Sequence, residues 1–169
     1  MEKHYMLTDE TIEREGVTLH RIVATKPLEH ARVAAGDRGG FVQSEYNLRG
    51  DGWIADDAIV MERAVVRDHA QVRGNALVKG NAWIENDARV LDHAVITGKT
   101  NIMDRAAAYG HCFVRNASVS GNAVIAGYAN VDGVAVAIYG SAKVDDNAQL
   151  GGCVTIFDRA HIYGNAIVS

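Results

Sequence analysis

A train of aliphatic residues at every sixth position constrains the fold of this 169-residue chain more than any other feature. The train, in which a small residue usually stands two positions before each member, comprises Ile54, Val60, Val66, Val72, Val78, Ile84, Val90, Ile96, Ile102, Ala108 and Val114. A period of six matches neither an amphipathic helix nor a long alternating strand. Turn-forming pairs such as Gly74-Asn75 fill the intervening positions. The pattern therefore indicates short strands that alternate with tight corners.

Repeated strands and corners predict an all-β fold, a parallel β-helix. In each hexad the small residue and the aliphatic residue flank a third one, so both face inward while the middle residue faces outward. Three hexads make a triangular coil of about 18 residues, which stacks on the next coil at about 4.8 Å. We expect about seven coils between Val42 and Val168, because the frame continues in both directions.

The frame slips twice in the second half of the chain. Val119 follows Val114 by five residues, near 115–119, and a seven-residue step near 132–138 separates Val131 from Ile138. Such steps are typical of bulges, which re-aim a side chain. Each slip shifts the frame by one residue only, so a continuous β-helix is still predicted.

The first part of the chain has a different texture. Residues 1–35 are predicted to form a small N-terminal β cap, and residues 36–169 one β-helix unit. Two strand-like segments, residues 5–7 and 17–24, flank a predicted loop over residues 8–16. A cap is expected because an open first coil would expose unpaired backbone and apolar core.

Composition excludes several classes of function. The net charge of −4 gives no strong nucleic-acid signal, and two cysteines cannot form a disulfide framework. The sequence has no Cys/His spacing typical of a zinc site, so no metal is predicted. Its apolar runs are too short for a membrane span, and its charged start is unlike a secretory signal. We therefore expect a cytoplasmic protein with no membrane partner.

The hexads resemble the hexapeptide repeat of left-handed parallel β-helix proteins, whose best-known members are trimeric acyltransferases. The segment GDRGGFV, residues 36–42, is similar to the start of YdcK-like acetyltransferases and of short phage-encoded relatives. The resemblance implies a left-handed coil, a homotrimer, and ligands bound between subunits. For an enzyme it also implies acetyl-CoA as the acyl donor.

One face of the predicted prism carries a stripe of apolar residues pointing outward. This ribbon, with members 18 residues apart, consists of Ile59, Leu77, Val95 and Phe113. Stacked apolar residues on a surface are typical of an interface. We therefore predict that the ribbon is the contact between subunits of a homotrimer.

Two histidines occupy the same corner position in successive coils. His93 and His111 are 18 residues apart, so their rings are expected to stack at about one strand spacing. Arg73 and Tyr109 line the same edge, and Arg89 points outward nearby. These five residues are the predicted ligand-binding site, at the rim of an inter-subunit cleft. Their cationic and ring groups favour an anionic or nucleotide-like ligand.

Two functions remain open from the sequence. The favoured one is a non-catalytic trimer that binds an anionic ligand or a protein partner, such as a phage accessory or host-interaction factor. The alternative is an acyl-CoA-dependent acetyltransferase in which His93 or His111 is the catalytic general base. The chain lacks the extruded loop and C-terminal helix common in the resembling acyltransferases, and no catalytic residue carries over by motif.

Overall fold

The structure, a computed structural model, describes residues 3–169 and is a β-solenoid of about seven turns with parallel sheets. Met1 and Glu2, which belong to the predicted cap, lie outside the described residues. Strand accounts for 45% of the chain and helix for 4%. The predicted all-β parallel β-helix is confirmed. Within residues 3–169 the helical segments are the short 3-10 turns Glu29–Ala31 and Glu45–Asn47, and no helix can cross a membrane.

The strands stack in three columns, here called faces 1, 2 and 3 in the order in which the chain passes through a coil. Face 1 contains Arg38–Val42, Ile59–Val60, Leu77–Val78, Val95–Thr97, the first parts of Phe113–Val119 and Asn130–Ile138, Gln149–Leu150 and Ile167–Val168. Face 2 contains Val65–Val66, Trp83–Ile84, Asn101–Ile102, the last parts of the same two long strands, and Thr155–Ile156. Face 3 contains Trp53–Ile54, Gln71–Val72, Arg89–Val90, Ala107–Ala108, Val124–Ile125, Lys143–Val144 and His161–Ile162.

The hexad pattern determines the core. The small and aliphatic members of the hexads up to Ile156 are buried and form one continuous apolar cluster along the prism, whereas Ile162 and Val168 of the last coil are partly buried against it. Alanine at one inward position keeps the triangular interior narrow, and the aliphatic residues fill it. Cys112 takes such a small inward position and is fully buried, as the pattern predicts.

Corner carboxylates connect successive coils. Asp56 and Asp92 adopt the left-handed conformation, with φ of 56° and 60°. The Asp56 carboxylate accepts a hydrogen bond from the N–H of Gly74 at 2.9 Å, and Asp92 accepts one from Gly110 at 3.0 Å. A Cβ on Gly74 would lie 2.9 Å from the carbonyl oxygen of Asp92, so glycine is required there. Acidic residues and glycines therefore alternate along this corner from Asp56 to Gly110.

The N-terminal segment forms a hairpin of strands β1 (Tyr5–Arg14) and β2 (Val17–Ala24). The predicted loop over residues 8–16 is wrong, since β1 continues to Arg14 and turns only at Glu15 and Gly16. Pairing with β2 supplies backbone hydrogen bonds to a polar segment that has little strand propensity of its own. Strand β2 also pairs antiparallel with β3 (Arg38–Val42), the first strand of face 1.

The near half of the hairpin covers the first coil. Tyr5 and Ile22 join the main core cluster. The Tyr5 hydroxyl donates a hydrogen bond to the carbonyl of Leu48, and His4 Nε2 lies 2.8 Å from the carbonyl oxygen of Gly52. Trp53, which the sequence places outward on face 3, is buried here, with its ring 6.3 Å from that of His4.

The far half of the hairpin folds over the outer surface of face 1. A register shift between Leu7 and Thr11 separates the two halves of strand β1. Beyond it, the apolar side of the hairpin joins a second apolar cluster, which comprises Ile12, Val17, Leu19, Phe41, Ile59, Met61, Leu77 and Val95. At the hairpin tip, the Glu15 carboxylate pairs with Lys79 Nζ at 2.7 Å.

Both frame slips fall at the corner between faces 1 and 2. Phe113–Val119 and Asn130–Ile138 run through this corner as continuous strands. Their pairing is irregular where Arg115 and Ala117 face Asp132 and Val136, so the second strand carries extra residues. The first slip therefore shortens one strand by a residue, the second is a bulge in the next strand, and the two distort one corner only.

Candidate functional site

The two predicted corner histidines stack as expected. The ring centroids of His93 and His111 are 4.6 Å apart and the ring planes differ by 3°. The stack continues beyond the prediction, because the Tyr128 ring lies 5.0 Å from His111 with a 4° interplanar angle. We call His93, His111 and Tyr128 the aromatic ladder. It runs along the corner between faces 3 and 1, and all three residues are exposed.

Backbone pairing between coils holds the ladder in register. The N–H of His93 donates to the carbonyl of Gly110 at 2.8 Å, and that of His111 donates to Gly127 at 2.7 Å. These bonds place each ring directly above the next. Tyr128 follows His111 by 17 residues rather than 18, because the first frame slip shortens that coil. The slip itself is thus the sequence signal that could have revealed the third ring.

The imidazoles of the ladder are available for a ligand. Within residues 3–169 no hydrogen bond engages a ring nitrogen of His93 or His111. The neighbouring Asp92 carboxylate is directed to the N–H of Gly110. A neutral imidazole carries one N–H donor and one acceptor. Two imidazoles 4.6 Å apart can therefore hydrogen-bond two oxygens of one anionic group.

The other predicted ligand-binding residues do not all converge on the ladder. The Arg73 guanidinium donates to the carbonyl of Ala31 at 2.5 Å and to the Gln71 side chain at 2.9 Å, so it is engaged with the cap. Tyr109 is half-buried on the edge of face 3, in the coil of His111. Arg89 is exposed on face 3, where it lines a shallow surface groove.

The predicted interface ribbon divides into two halves. Ile59 and Leu77 are buried, since the far half of the hairpin packs over them. Val95 and Phe113 are half-buried, and they lie on the strands that follow the ladder residues His93 and His111. The uncovered apolar surface of face 1 therefore begins where the hairpin ends and borders the ladder.

His4, His30 and His69 make contacts between the N-terminal segment and the solenoid. Burial lowers the pKa of His4, although its contact with Gly52 opposes this. The His30 ring lies 4.7 Å from that of His69, and burial together with His69 lowers the pKa of His30. The N-terminal segment thus favours the neutral forms of His4 and His30.

Neither a thiol site nor a metal site is indicated within residues 3–169. Burial raises the pKa of Cys112 to about 12, so this thiol is not a nucleophile near neutral pH. Cys153 is exposed and free. No three His, Cys, Asp or Glu side chains of the described residues group closely enough to hold a metal ion.

Comparison with known proteins adds no family: no protein-family model matches the chain, and a search of curated proteins finds no significant relative. The case for a function therefore depends on the geometry of the ladder and the surfaces beside it.

Proposed function

We propose that this protein is a non-enzymatic, self-associating β-solenoid that binds a nucleotide-like anion at the aromatic ladder. The observation that carries the proposal is the exposed, parallel stack of His93, His111 and Tyr128. Rings held parallel by a rigid backbone need no reorganisation before they bind a ligand, which lowers the entropic cost of binding.

The chemistry of the ladder favours a ligand that carries both an anionic group and a planar ring. Imidazole donors and the Tyr128 hydroxyl line up along the solenoid axis and suit the oxygens of a phosphate. Arg89, exposed on face 3 in the coil of His93, adds a positive charge beside the ladder. His111 is covered on both faces by His93 and Tyr128, so a base or other planar group would stack on the outer face of one of those two rings or on Tyr109.

Self-association is proposed through the half-buried part of the ribbon, Phe113 and the side of Val95 that the hairpin cluster leaves exposed. The resemblance of the hexads and of the GDRGGFV segment to trimeric β-helix proteins supports a homotrimer with left-handed coils. In such an assembly the ladder would lie at the rim of the contact, because Val95 and Phe113 follow His93 and His111 by two residues in the sequence. The same resemblance supports a role as a phage accessory or host-interaction factor.

The ligand site is tested by equilibrium binding of ATP, AMP, CoA and acetyl-CoA to the full chain. We expect at least one nucleotide to bind, and the double variant His93→Ala/His111→Ala to weaken it at least about tenfold. The control His161→Ala removes an exposed imidazole outside the ladder and should bind like the parent. Binding by the double variant with parental affinity would remove the ladder from the site.

The contact is tested by light scattering. Val95→Asp combined with Phe113→Asp should reduce the particle mass to that of a monomer, because both charges would enter a dry interface. Asn101→Asp with Ser118→Asp places the same charges on face 2 and should leave the mass unchanged. A parental mass for the first pair would move the contact elsewhere.

An acetyltransferase is the second candidate, favoured only by the unengaged imidazoles, which could accept a proton from an acyl acceptor. Turnover of acetyl-CoA that is lost in His93→Ala or in His111→Ala would replace the binding function with this one. Binding of acetyl-CoA without turnover would favour the non-enzymatic protein.

A further inference from the structure

We propose that a groove along the corner between faces 1 and 2 is a second binding site, for a small hydroxylated phosphate of the sugar-phosphate class. The groove has a volume of about 690 Å³, within the range of small-molecule sites. It crosses five coils, from Gly80 to Gly152, which corresponds to about 19 Å along the solenoid. It lies on the opposite side of face 1 from the ladder and is independent of it.

The floor of the groove is backbone that no side chain can fill. A Cβ on Gly98 would lie 2.4 Å from Oδ1 of Asn116. A Cβ on Gly133 would lie 2.4 Å from the carbonyl oxygen of Gly152. At Gly133 the collision is with the backbone of the next coil, and at Gly98 a φ of 66° favours glycine as well, so both positions keep this corner free of larger side chains.

The wall of the groove is made by the second frame slip. Extra residues between Asp132 and Val136 project from the strand, and Val134 among them is 83% exposed. One coil is short by a residue and the next is long by a residue, so the frame is restored by Gln149. A paired, compensated departure from a strict repeat marks a local feature rather than a defect.

The charges in the groove favour an anion. Arg115 Nε and Nη2 each lie 2.6 Å from a carboxylate oxygen of Asp132, so this carboxylate is neutralised. Lys99 is exposed, and among residues 3–169 no carboxylate forms an ion pair with it. The residues that line the groove therefore carry one net positive charge, at Lys99, and another carboxylate, that of Glu62, lies at the first coil of the groove, where it accepts a hydrogen bond from the N–H of Gly80. A lysine ammonium is a compact point charge suited to phosphate.

The remaining lining groups favour a hydroxylated ligand. Asn81, Asn116 and the Asp132 oxygens border the same space and can accept or donate hydrogen bonds to hydroxyl groups. The exposed Val134 side chain offers an apolar contact for the C–H face of a sugar ring. A ligand with a phosphate for Lys99, hydroxyl groups for the polar side chains and an apolar face for Val134 is a sugar phosphate.

The test is an NMR titration of the full, ¹⁵N-labelled chain with glucose 6-phosphate, because glycine amides give well-separated signals. We expect saturable shifts at Gly98, Lys99 and Gly133. Glucose 6-phosphate should bind at least about tenfold more tightly than glucose or inorganic phosphate, since each lacks half of the recognised groups. The absence of shifts at this corner, or equal binding of inorganic phosphate, would overturn the proposal, as would tighter binding of glucuronate.

Three variants sharpen the test. Lys99→Gln removes the free charge and should weaken binding at least about tenfold. Asn81→Trp adds bulk at an exposed position and should block the groove without changing charge. Arg159→Gln removes a positive charge at the corner between faces 2 and 3 and should bind like the parent. Parental binding by both groove variants would refute the site.

The test of the groove can be distinguished from the test of the aromatic ladder. The double variant His93→Ala/His111→Ala should retain glucose 6-phosphate binding at the groove. Loss of groove binding in that variant would contradict an independent site, whatever the ladder binds.

Discussion

The hairpin clamp on face 1 predicts a local and measurable effect of one substitution, Leu19→Ala. Leu19 has 0% exposure and lies in the cluster that joins the hairpin to Phe41, Ile59 and Leu77. Its truncation removes about three buried carbon groups, worth about 2.4 kcal/mol at about 0.8 kcal/mol each. The cavity left behind raises the cost to about 3 kcal/mol, because the rigid face 1 cannot collapse into it.

The assay is hydrogen exchange measured residue by residue. A solenoid is quasi-one-dimensional, so the cost should fall on opening of the hairpin rather than on the distant coils. About 3 kcal/mol corresponds to an increase of about 150-fold in the open population. We therefore expect the amides shared by β1 and β2 to exchange about 100-fold faster, whereas those of Lys143–Val144 keep the parental rate.

A matched control variant and two possible outcomes test whether Leu19 holds the hairpin to face 1. Val134→Ala truncates an apolar residue that is 83% exposed and should change no protection factor near the hairpin. An acceleration of less than about fivefold in the hairpin would show that Leu19 does not hold it to face 1. An equal acceleration throughout the chain would show that the hairpin and solenoid unfold as a single unit.

Two further predictions concern pH and the corners. The free energy of unfolding should decrease as pH falls below 6.5, because burial lowers the pKa of His4 in the folded chain and the unfolded chain binds more protons. Denaturant titrations from about pH 8 to about pH 5 should show this slope, and His4→Gln should reduce it without abolishing it, because the lowered pKa of His30 contributes a slope of the same sign; a parental slope in that variant would exclude His4. Asp92→Ala should cost about 2 kcal/mol, since it loses the bond to Gly110 and keeps a positive φ. Asp92→Gly relieves that conformation and should cost about 1 kcal/mol, so equal losses by denaturant titration would contradict the role of φ.

The solenoid itself could be predicted from the sequence because the pattern that specifies it lies within each hexad and is repeated along the chain. Nearly every hexad specifies a small inward residue, an inward aliphatic residue and a corner, and the structure buries those inward positions along most of the prism. The stack of His93 on His111 follows from the same arithmetic. The 18-residue spacing did not predict Tyr128 as the third ring, because the coil between His111 and Tyr128 is one residue short.

The features that depend on one segment folding back on another could not be predicted. The apolar residues of the hairpin, Ile12, Val17 and Leu19, are spaced as in ordinary amphipathic strands. Nothing in this spacing indicates that they cover Ile59 and Leu77. The direction of the hairpin depends on the register shift within β1, which the polar sequence there does not encode visibly. For the same reason Arg73, aligned with the ladder by spacing, bonds to the cap instead.

The departures from the repeat converge on one part of the molecule. Three successive strands of face 1 connect the two candidate sites: Val95–Thr97, Phe113–Val119 and Asn130–Ile138. The aromatic ladder lies at the corner where these strands begin, and the groove lies at the corner where they leave face 1. Between the two corners lies the stretch of face 1 that the hairpin leaves uncovered. A ring stack stabilises a solenoid by only about 1 kcal/mol per pair, and a compensated bulge or a lysine without an ion pair adds no comparable stability. Their coincidence therefore favours this stretch of face 1, rather than face 2 or face 3, as the surface through which the protein acts.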